Sequence, residues 1–246
     1  MSEAIKASPG WRAATDFEFS YRAWIFAVIF FGSFQLYTVD HVAMAVACAG
    51  WLQRLGIPAA PSLVEWGGVA LVAVAALLRT WATAYMRSDV VHDTQVHDTR
   101  LVADGPYRYM RNPLYMGTTL MGLGLGLMAS RLGFFVLVAA LMIFHDRLVL
   151  REEQALRATQ GAGYRQYLER VPRFLPSLTP RLASGGMRPR WGQAIVGEIA
   201  MWAFTAAYAV FVLTRDARVL IWSSLAIVAV ILLMRGSRLR LLQTRQ

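Results

Sequence analysis

Cysteine is almost missing from this chain of 246 residues. The one cysteine, Cys48, lies inside an apolar segment. An intrachain disulfide is therefore impossible, and zinc sites of the CxxC type are excluded. Acidic residues are also scarce, 15 against 25 basic ones, for a net charge of +10. Such an excess raises nucleic acid as a partner, but the basic groove with interleaved aromatics that marks nucleic-acid binders is lacking. No nucleic-acid partner is expected. The first 20 residues carry Lys6 and Arg12 but no apolar core with a cleavage site, so no cleaved signal peptide is read. Low-complexity tracts are missing, and the duplicated VHDT at 91–94 and 96–99 is too short for a repeat architecture.

What the chain does have is apolar sequence in blocks. Hydrophobic residues make up 57% of it and the mean hydropathy is +0.42, above the usual balance of a soluble domain. Residues 22–39, 62–86, 114–130, 132–150, 192–213 and 217–235 form long apolar runs, and 41–55 a weaker one. About 20 apolar residues cross a bilayer as a helix, because lipid offers free backbone groups no partner. The fold class is therefore all-α: a polytopic integral membrane helical bundle of about six or seven transmembrane helices.

The arginines set the orientation. Residues 87–113 hold four, 147–190 nine and 235–246 four of the 25 basic residues, all between or after apolar blocks. The positive-inside rule places such stretches in the cytoplasm, which makes 114–130 and 132–150 a tight hairpin turning at Ser130-Arg131. Residues 62–86 then run inward. Whether 41–55 spans decides the side of the N-terminus: outside if it does, inside if not. Prolines 172, 176, 180 and 189 with Gly185-Gly186 mark 171–190 as irregular. Three regions follow: N-terminal transmembrane helices in 1–90, a core in 91–180, and an additional hairpin with a basic tail in 181–246.

Two polar segments carry nearly all the unusual residues. In the first, Gly105-Pro106 is a turn dipeptide and Pro113 suits the first position of the helix that follows. A helix N-terminus beside Arg111 and Asn112 favours an anion such as a carboxylate. The same residues also fit a plain membrane anchor. In the second, Glu152 and Glu153 extend the preceding helix about one turn out of the membrane, where a carboxylate could meet a ligand's ammonium group. A solvated helix end is the alternative. Tyr164 and Tyr167 share a helical face, as an interfacial belt or a pocket wall.

Other polar features are weaker. His92 and His97 with Asp93 and Asp98 are split across helix faces, so no metal site is expected. Gly122, Gly124 and Gly126 follow no strand and read as small-residue helix packing rather than a nucleotide loop. They could also border a lipid-access groove. Arg79 can snorkel from its apolar run, and Glu198 leaves a buried pair open. His145-Asp146-Arg147 reads as helix-end charge, with proton transfer as the alternative.

Together these segments resemble a family. Gly105-Pro106-Tyr107 followed by Arg111-Asn112-Pro113-x-Tyr115-x-Gly117 is similar to the first signature of the isoprenylcysteine carboxyl methyltransferase and phospholipid methyltransferase superfamily. Glu152-Glu153-x-x-Leu156, Gly161-x-x-Tyr164-x-x-Tyr167 and Arg170-Val171-Pro172-x-x-x-Pro176 resemble its second, and the likeness covers roughly 90–178. The resemblance implies two cytoplasmic segments folded as a cap over S-adenosylmethionine, with an acceptor entering from the bilayer. It puts the cofactor near Leu101, Val102, Gly105, Tyr107, Arg111, Asn112, Pro113, Tyr115, Glu152 and Glu153, closed by Tyr164 and Tyr167. Asn112 stands where the carboxyl methyltransferases commonly have histidine, and residues 192–235 add a hairpin. Both departures concern the acceptor.

Methyl transfer from a sulfonium needs in-line approach and exclusion of water more than elaborate catalytic groups. A carboxylate acceptor is already a nucleophile, and Arg173 or Arg170 need only hold it. An amine or thiol needs a base, for which His145 and Glu153 are candidates. The expectation is a prokaryotic inner-membrane enzyme, its site facing the cytoplasm, methylating a lipophilic or lipidated acceptor, most readily a carboxylate. A phospholipid amine, a thiol, an NADPH-dependent sterol-type reductase and a non-enzymatic transporter or scaffold are the alternatives.

Overall fold

The computed structural model describes residues 12–86, 103–227 and 229. Leu101, Val102, the VHDT duplication, the last part of the run 217–235 and the basic tail lie outside the described residues. The described chain is helical: α1 (Asp16–Ser20), α2 (Arg22–Gln35), α3 (Met44–Arg54), α4 (Ala60–Ala84), α5 (Pro113–Gly126), α6 (Arg131–Arg170), α7 (Trp191–Gly197), α8 (Ile199–Thr214) and α9 (Ala217–Ile227).

Run length and helix length differ. Among the described residues α4 and α6 are each long and apolar enough to cross a membrane, and α7 with α8, bent by 58°, can serve as a third span. α4 has 25 residues, about 37 Å of helix. α2 and α5 have 14 residues each, about 21 Å, and cross only with their flanking turns. α3 has 11, about 16 Å, about half of a hydrocarbon core. The weak run 41–55 is therefore no independent crossing.

Two faces can be told apart by their ion pairs. On one, Asp40 meets Arg131 at 3.0 Å and accepts from the Leu132 N–H, while Glu65 pairs with Arg215. On the other, α1 is tied to α6: Arg147 reaches Glu18 at 2.8 Å, Arg151 reaches Asp16 at 2.6 Å, and the Ala14 N–H donates to the Arg147 carbonyl. The Arg147 guanidinium holds the Glu18 carboxyl down at about 2. The N-terminal helix therefore shares a face with the arginine-rich segments, which fits a weak run that does not span. We call this the cap face and the other the far face.

The α5–α6 hairpin is present, but its turn is longer than Ser130-Arg131. α5 ends at Gly126, and residues 127–130 make the turn. Its carbonyls are taken by the first residues of α3 and by Tyr37 before it: Met44 N–H to Ala129, Ala45 N–H to Leu127, Tyr37 Oη to Met128 at 2.7 Å. The Ser130 side chain caps α6 by accepting from the Gly133 N–H. α6 does not stop a turn after residue 150. It continues to Arg170, broken only at Gly161, whose φ of 57° and ψ of −126° leave helical geometry; glycine alone takes such a conformation cheaply. This break swings Tyr164 and Tyr167 back over the base of the hairpin.

The core lies where α4, α5 and α8 meet, around Val72, Ala75, Ala76, Leu125 and Tyr208. The α5 glycines let α4 approach: a Cβ on Gly124 would lie 2.6 Å from Val72 Cγ2 and 2.7 Å from the Gly68 carbonyl oxygen. Gly117 leaves room for the Arg79 stem. Arg79 does not snorkel. Its Nε and Nη2 bond Glu198 at 2.7 and 3.1 Å, its Nη1 reaches Thr118 Oγ1 and the Leu114 carbonyl, and Thr83 donates to Glu198. Ionisable groups in an apolar bundle are held only when paired this way, so the pair fastens α8 to α4 and α5.

Close packing at Gly124 generates a prediction. Gly124→Ala should destabilise the purified protein by about 1–3 kcal/mol through overpacking, read as a lower melting temperature in detergent. Gly67→Ala, with nothing within 4 Å of its would-be Cβ, should be neutral or stabilising, because alanine is the better helix former. Equal behaviour of the two variants would contradict the α4–α5 contact.

Candidate functional site

The chain between α4 and α5 returns at Ala103, and that after α6 runs back along it. Burial would raise the Asp104 carboxyl, but bonds from the Met187 N–H, the Ser184 hydroxyl and the Gly185 N–H outweigh this and hold it below its usual range. Further along, Arg181 N–H donates to the Arg108 carbonyl, Ser177 N–H to Tyr109, and Arg111 N–H to Pro172, while Arg190 N–H reaches Ala84 at the end of α4. Residues 172–190 thus form a strap laid antiparallel over 103–111, without a sheet. Prolines rule out a regular ladder there, so side chains and isolated backbone bonds do the joining.

Beneath the strap Glu153 is buried, its side chain only 4% exposed, between two arginines from the two segments. Arg111 Nη2 lies 3.2 Å from Oε1, and Arg173 Nη2 lies 2.8 Å from Oε2. Arg111 also donates to the Leu168 carbonyl at 2.8 Å, Arg173 also reaches Asp146, and Asn112 Nδ2 donates to the Arg173 carbonyl at 3.0 Å. A charge buried in this way must be paired, so the pairing ties residues 111–112, 146–153 and 173 together.

Beside this clamp lies a cavity of about 240 Å³, lined by Met86, Ala103, Tyr107, Arg111, Asn112, Pro113, Leu114, Tyr115, Glu152, Glu153, Leu156, Tyr164 and Tyr167. The N-terminus of α5 opens onto it at Asn112-Pro113. Tyr115 Oη donates to Glu152 Oε1 at 2.8 Å, and Tyr167 Oη donates to the Tyr107 carbonyl at 2.9 Å. Tyr107 Oη and Arg111 Nε are buried polar atoms with no partner among the described residues. Burial pushes the Tyr107 phenol above its ordinary value, so at neutral pH it is a protonated donor. The cavity therefore combines a cationic side chain, a helix N-terminus, a free phenol and a carboxylate, within mainly aromatic and apolar walls. That set suits a small zwitterion with a flat hydrophobic part.

The structure thus brings together Tyr107, Arg111, Asn112, Pro113, Tyr115, Glu152, Glu153, Tyr164 and Tyr167. Gly105 does not line the cavity. It has a φ of 58°, and the Tyr85 ring fills the place of its missing Cβ, which makes it a turn and packing residue. Arg173 touches the clamp, whereas Arg170 is exposed at the end of α6. Leu101 and Val102 lie outside the described residues. Met86 and Ala103 join the lining with no polar signal in the sequence to reveal them.

His145, Asp146 and Arg147 are not a helix end but the middle of α6, and their side chains diverge. His145 is buried between the rings of Phe26 and Tyr115, at 5.3 and 5.1 Å, while Asp146 faces Arg173 and Arg147 faces Glu18. Thr119 Oγ1 lies 3.0 Å from both the Tyr115 carbonyl oxygen and His145 Nδ1. The His–Asp pair does not form. Among the described residues no three His, Cys, Asp or Glu side chains gather as a metal site; His92 and His97 lie outside them.

Comparison with known proteins follows the same part of the chain. Residues 63–162, from α4 into α6, match the phospholipid methyltransferase family. The chain is 30% identical over 112 residues to the cobalt-zinc-cadmium resistance protein CzcN of Cupriavidus metallidurans, covering 46% of this chain and 49% of that one. It is 29% identical over 114 residues to the nickel-cobalt-cadmium resistance protein NccN of Alcaligenes xylosoxydans xylosoxydans, 46% of this chain and 54% of that one. It is 34% identical over 93 residues to the protein-S-isoprenylcysteine O-methyltransferase of Schizosaccharomyces pombe, 36% of this chain and 38% of that one. The chain thus spans about half the length, or less, of the curated relatives it matches. No solved structure matches significantly. The paired signatures meet around one cavity in a helical membrane bundle, and over residues 63–162 the chain is similar to the phospholipid methyltransferase family.

Proposed function

We propose that the protein is an S-adenosylmethionine-dependent methyltransferase whose cofactor occupies the cavity under the strap, on the cytoplasmic side of a prokaryotic inner membrane. The observation that carries this reading is the pair of unpartnered buried atoms, Tyr107 Oη and Arg111 Nε, in a cavity that also exposes a helix N-terminus and Glu152. Arg111 and the first N–H groups of α5 would meet the cofactor's carboxylate. Glu152 would meet its ammonium group, since both oxygens of Glu153 are already engaged by arginines. Tyr164, Tyr167 and Leu156 would cover its apolar part.

When bound, S-adenosylmethionine supplies a methyl group on a positively charged sulfur, which a nucleophile can take up directly. The chain's own part is then orientation and exclusion of water. The clamp fixes Arg111, the Tyr115–Glu152 bond fixes that carboxylate, and the strap covers the site. We assign Arg173 and Glu153 to positioning and leave Arg170, which is exposed, to the acceptor or the membrane surface. The cytoplasmic side rests on the arginine content of the cap face.

The acceptor proposed is a lipophilic carboxylate. Among the described residues that line the cavity, Glu153 sits between two arginines and Glu152 is assigned to the cofactor's ammonium group, so neither carboxylate is left to act as a base. A carboxylate acceptor needs none. The relative whose printed name specifies O-methyl transfer agrees with this, while the family description names a phospholipid as acceptor.

Membranes containing the protein, incubated with methyl-labelled S-adenosylmethionine, should form a lipid-soluble product that releases labelled methanol in alkali, as a methyl ester does. Label that is stable to alkali would replace this acceptor with an amine or a thiol. Tyr107→Phe should leave the melting temperature unchanged, because its hydroxyl has no partner among the described residues, while cofactor affinity falls by about fivefold or more. Tyr167→Phe, which breaks a protein hydrogen bond, should lower the melting temperature. Calorimetry and thermal unfolding on the two variants separate these outcomes.

A further inference from the structure

The strap does not lie level on the bundle. The segment beneath it runs down beside the end of α4: the Tyr85 ring packs at Gly105, Tyr109 packs on Trp81 with ring centroids 5.9 Å apart, and Gly117 sits against Arg79 and Ala75. From residue 105 to 117 the chain therefore passes deeper along α4. The strap is antiparallel to it. Its high end is where the Arg190 N–H bonds the Ala84 carbonyl, and its deep end is where the Ser177 N–H bonds the Tyr109 carbonyl. With 25 residues, α4 is about 37 Å long against about 30 Å of hydrocarbon, so centred in a bilayer it extends about two residues beyond at each end. Trp81 then lies at the hydrocarbon boundary, where tryptophan gathers. Residues 175–178 of the strap are held at the same depth.

At this depth the strap carries an apolar knuckle. Leu175 is 75% exposed and Leu178 completely so, at 101%, with Pro176 and Pro180 exposed beside them. The two leucines are held outward by what lies between and after them. Ser177 turns to the protein, its N–H on the Tyr109 carbonyl at 3.0 Å and its Oγ 2.7 Å from the Thr179 carbonyl oxygen. The Arg181 N–H then closes the loop on the Arg108 carbonyl at 2.8 Å. A lone exposed leucine is ordinary on a wet surface, but a pinned pair at the depth of Trp81 faces lipid. The backbone suits that place as well. Lipid offers a free N–H no partner; Pro176 and Pro180 have no N–H to satisfy, and those of Ser177 and Arg181 are bonded. The lipid-facing side of α4 next to it, at Val74 and Leu77, is half exposed in the same way.

We propose that Leu175 and Leu178 form a wedge inserted into the cap-side leaflet, among the glycerol and upper acyl-chain region of its lipids. The partner is the apolar part of the leaflet rather than a headgroup of either charge, because the tip of the knuckle is leucine and proline. Inserted, the wedge seats the deep end of the strap at a fixed height in the bilayer. Arg173, two residues before it, roofs the cavity through Glu153, so the cover of the cavity is fastened to the membrane as well as to the protein. The wedge is independent of what the cavity binds.

The test uses the full-length protein with Cys48→Ala, carrying one new cysteine at a time and reconstituted into phosphatidylcholine vesicles. Leu175→Cys and Leu178→Cys probe the knuckle, Leu77→Cys is the lipid-facing reference, and Thr159→Cys, on the exposed polar half of α6, is the aqueous one. Each is labelled with an environment-sensitive fluorophore. Labels at 175 and 178 should emit to the blue of the label at 159 and be quenched by a phospholipid carrying a nitroxide high on its acyl chain. They should also lose most of the iodide quenching seen at 159. Phosphatidylglycerol in place of phosphatidylcholine should leave this pattern unchanged. Iodide quenching at 175 and 178 equal to that at 159 would overturn the proposal, and so would a lipid contact that appears only with the anionic lipid. Shielding from both quenchers would overturn it too, because a second copy or another protein would then cover the knuckle. No readout involves methyl transfer, so failure here leaves the proposed reaction untouched.

Discussion

A buried carboxylate between two guanidinium groups holds the cap together. Glu153 lies on α6 where it leaves the apolar region, Arg111 comes from the chain just before α5, and Arg173 from the chain just after α6. An unpaired charge in this place would be costly, and removing one partner of such a pair costs about 3–5 kcal/mol. The chain therefore folds so that both flanks of the α5–α6 hairpin converge on one acid. The α5 N-terminus, Tyr115, Glu152 and the two tyrosines beyond Gly161 are then gathered around one cavity as a consequence.

A second ion pair does the equivalent work inside the bundle. Arg79 and Glu198 join α4 to α8, and Arg79 also reaches Thr118 and the Leu114 carbonyl at the beginning of α5. The residues of α5 that start the cavity are thus braced from below by the same arginine that anchors the additional C-terminal helices. Gly117 and Gly124 make this possible by letting Arg79 and α4 come close. On the far face, Asp40 with Arg131 and Glu65 with Arg215 tie down the opposite ends of the same helices.

The parts legible in the sequence were those with a local physical cause. Apolar runs make helices, so the bundle, the hairpin 114–150 and the helical pairing of Tyr164 with Tyr167 could be read directly. Pro113 opened its helix and Gly124 packed as expected. The residues of both polar segments that surround the cavity were identified through their resemblance to a family. Features that depend on distant partners could not be read. Whether 41–55 crosses a membrane hinges on where its helix starts, and Met44 is tied to Ala129 across the far-face turn. Glu198 lies 119 residues from Arg79, and no periodicity signals that pair. The extension of α6 to Arg170 is hidden because its outer half is polar, and His145 looked like helix-end charge for the same reason. The strap has no regular structure for a pattern to reveal.

The proposed function requires that the Glu153 clamp build a site for S-adenosylmethionine. The most direct test is calorimetric titration of the cofactor into purified wild-type protein and the Glu153→Gln variant, with NADPH as the competing ligand. Wild type should bind S-adenosylmethionine and not NADPH, and Glu153→Gln should lose about ten- to a hundredfold in affinity, as Arg111 is released from its anchor. Undiminished binding by Glu153→Gln, or binding of NADPH alone, would contradict it.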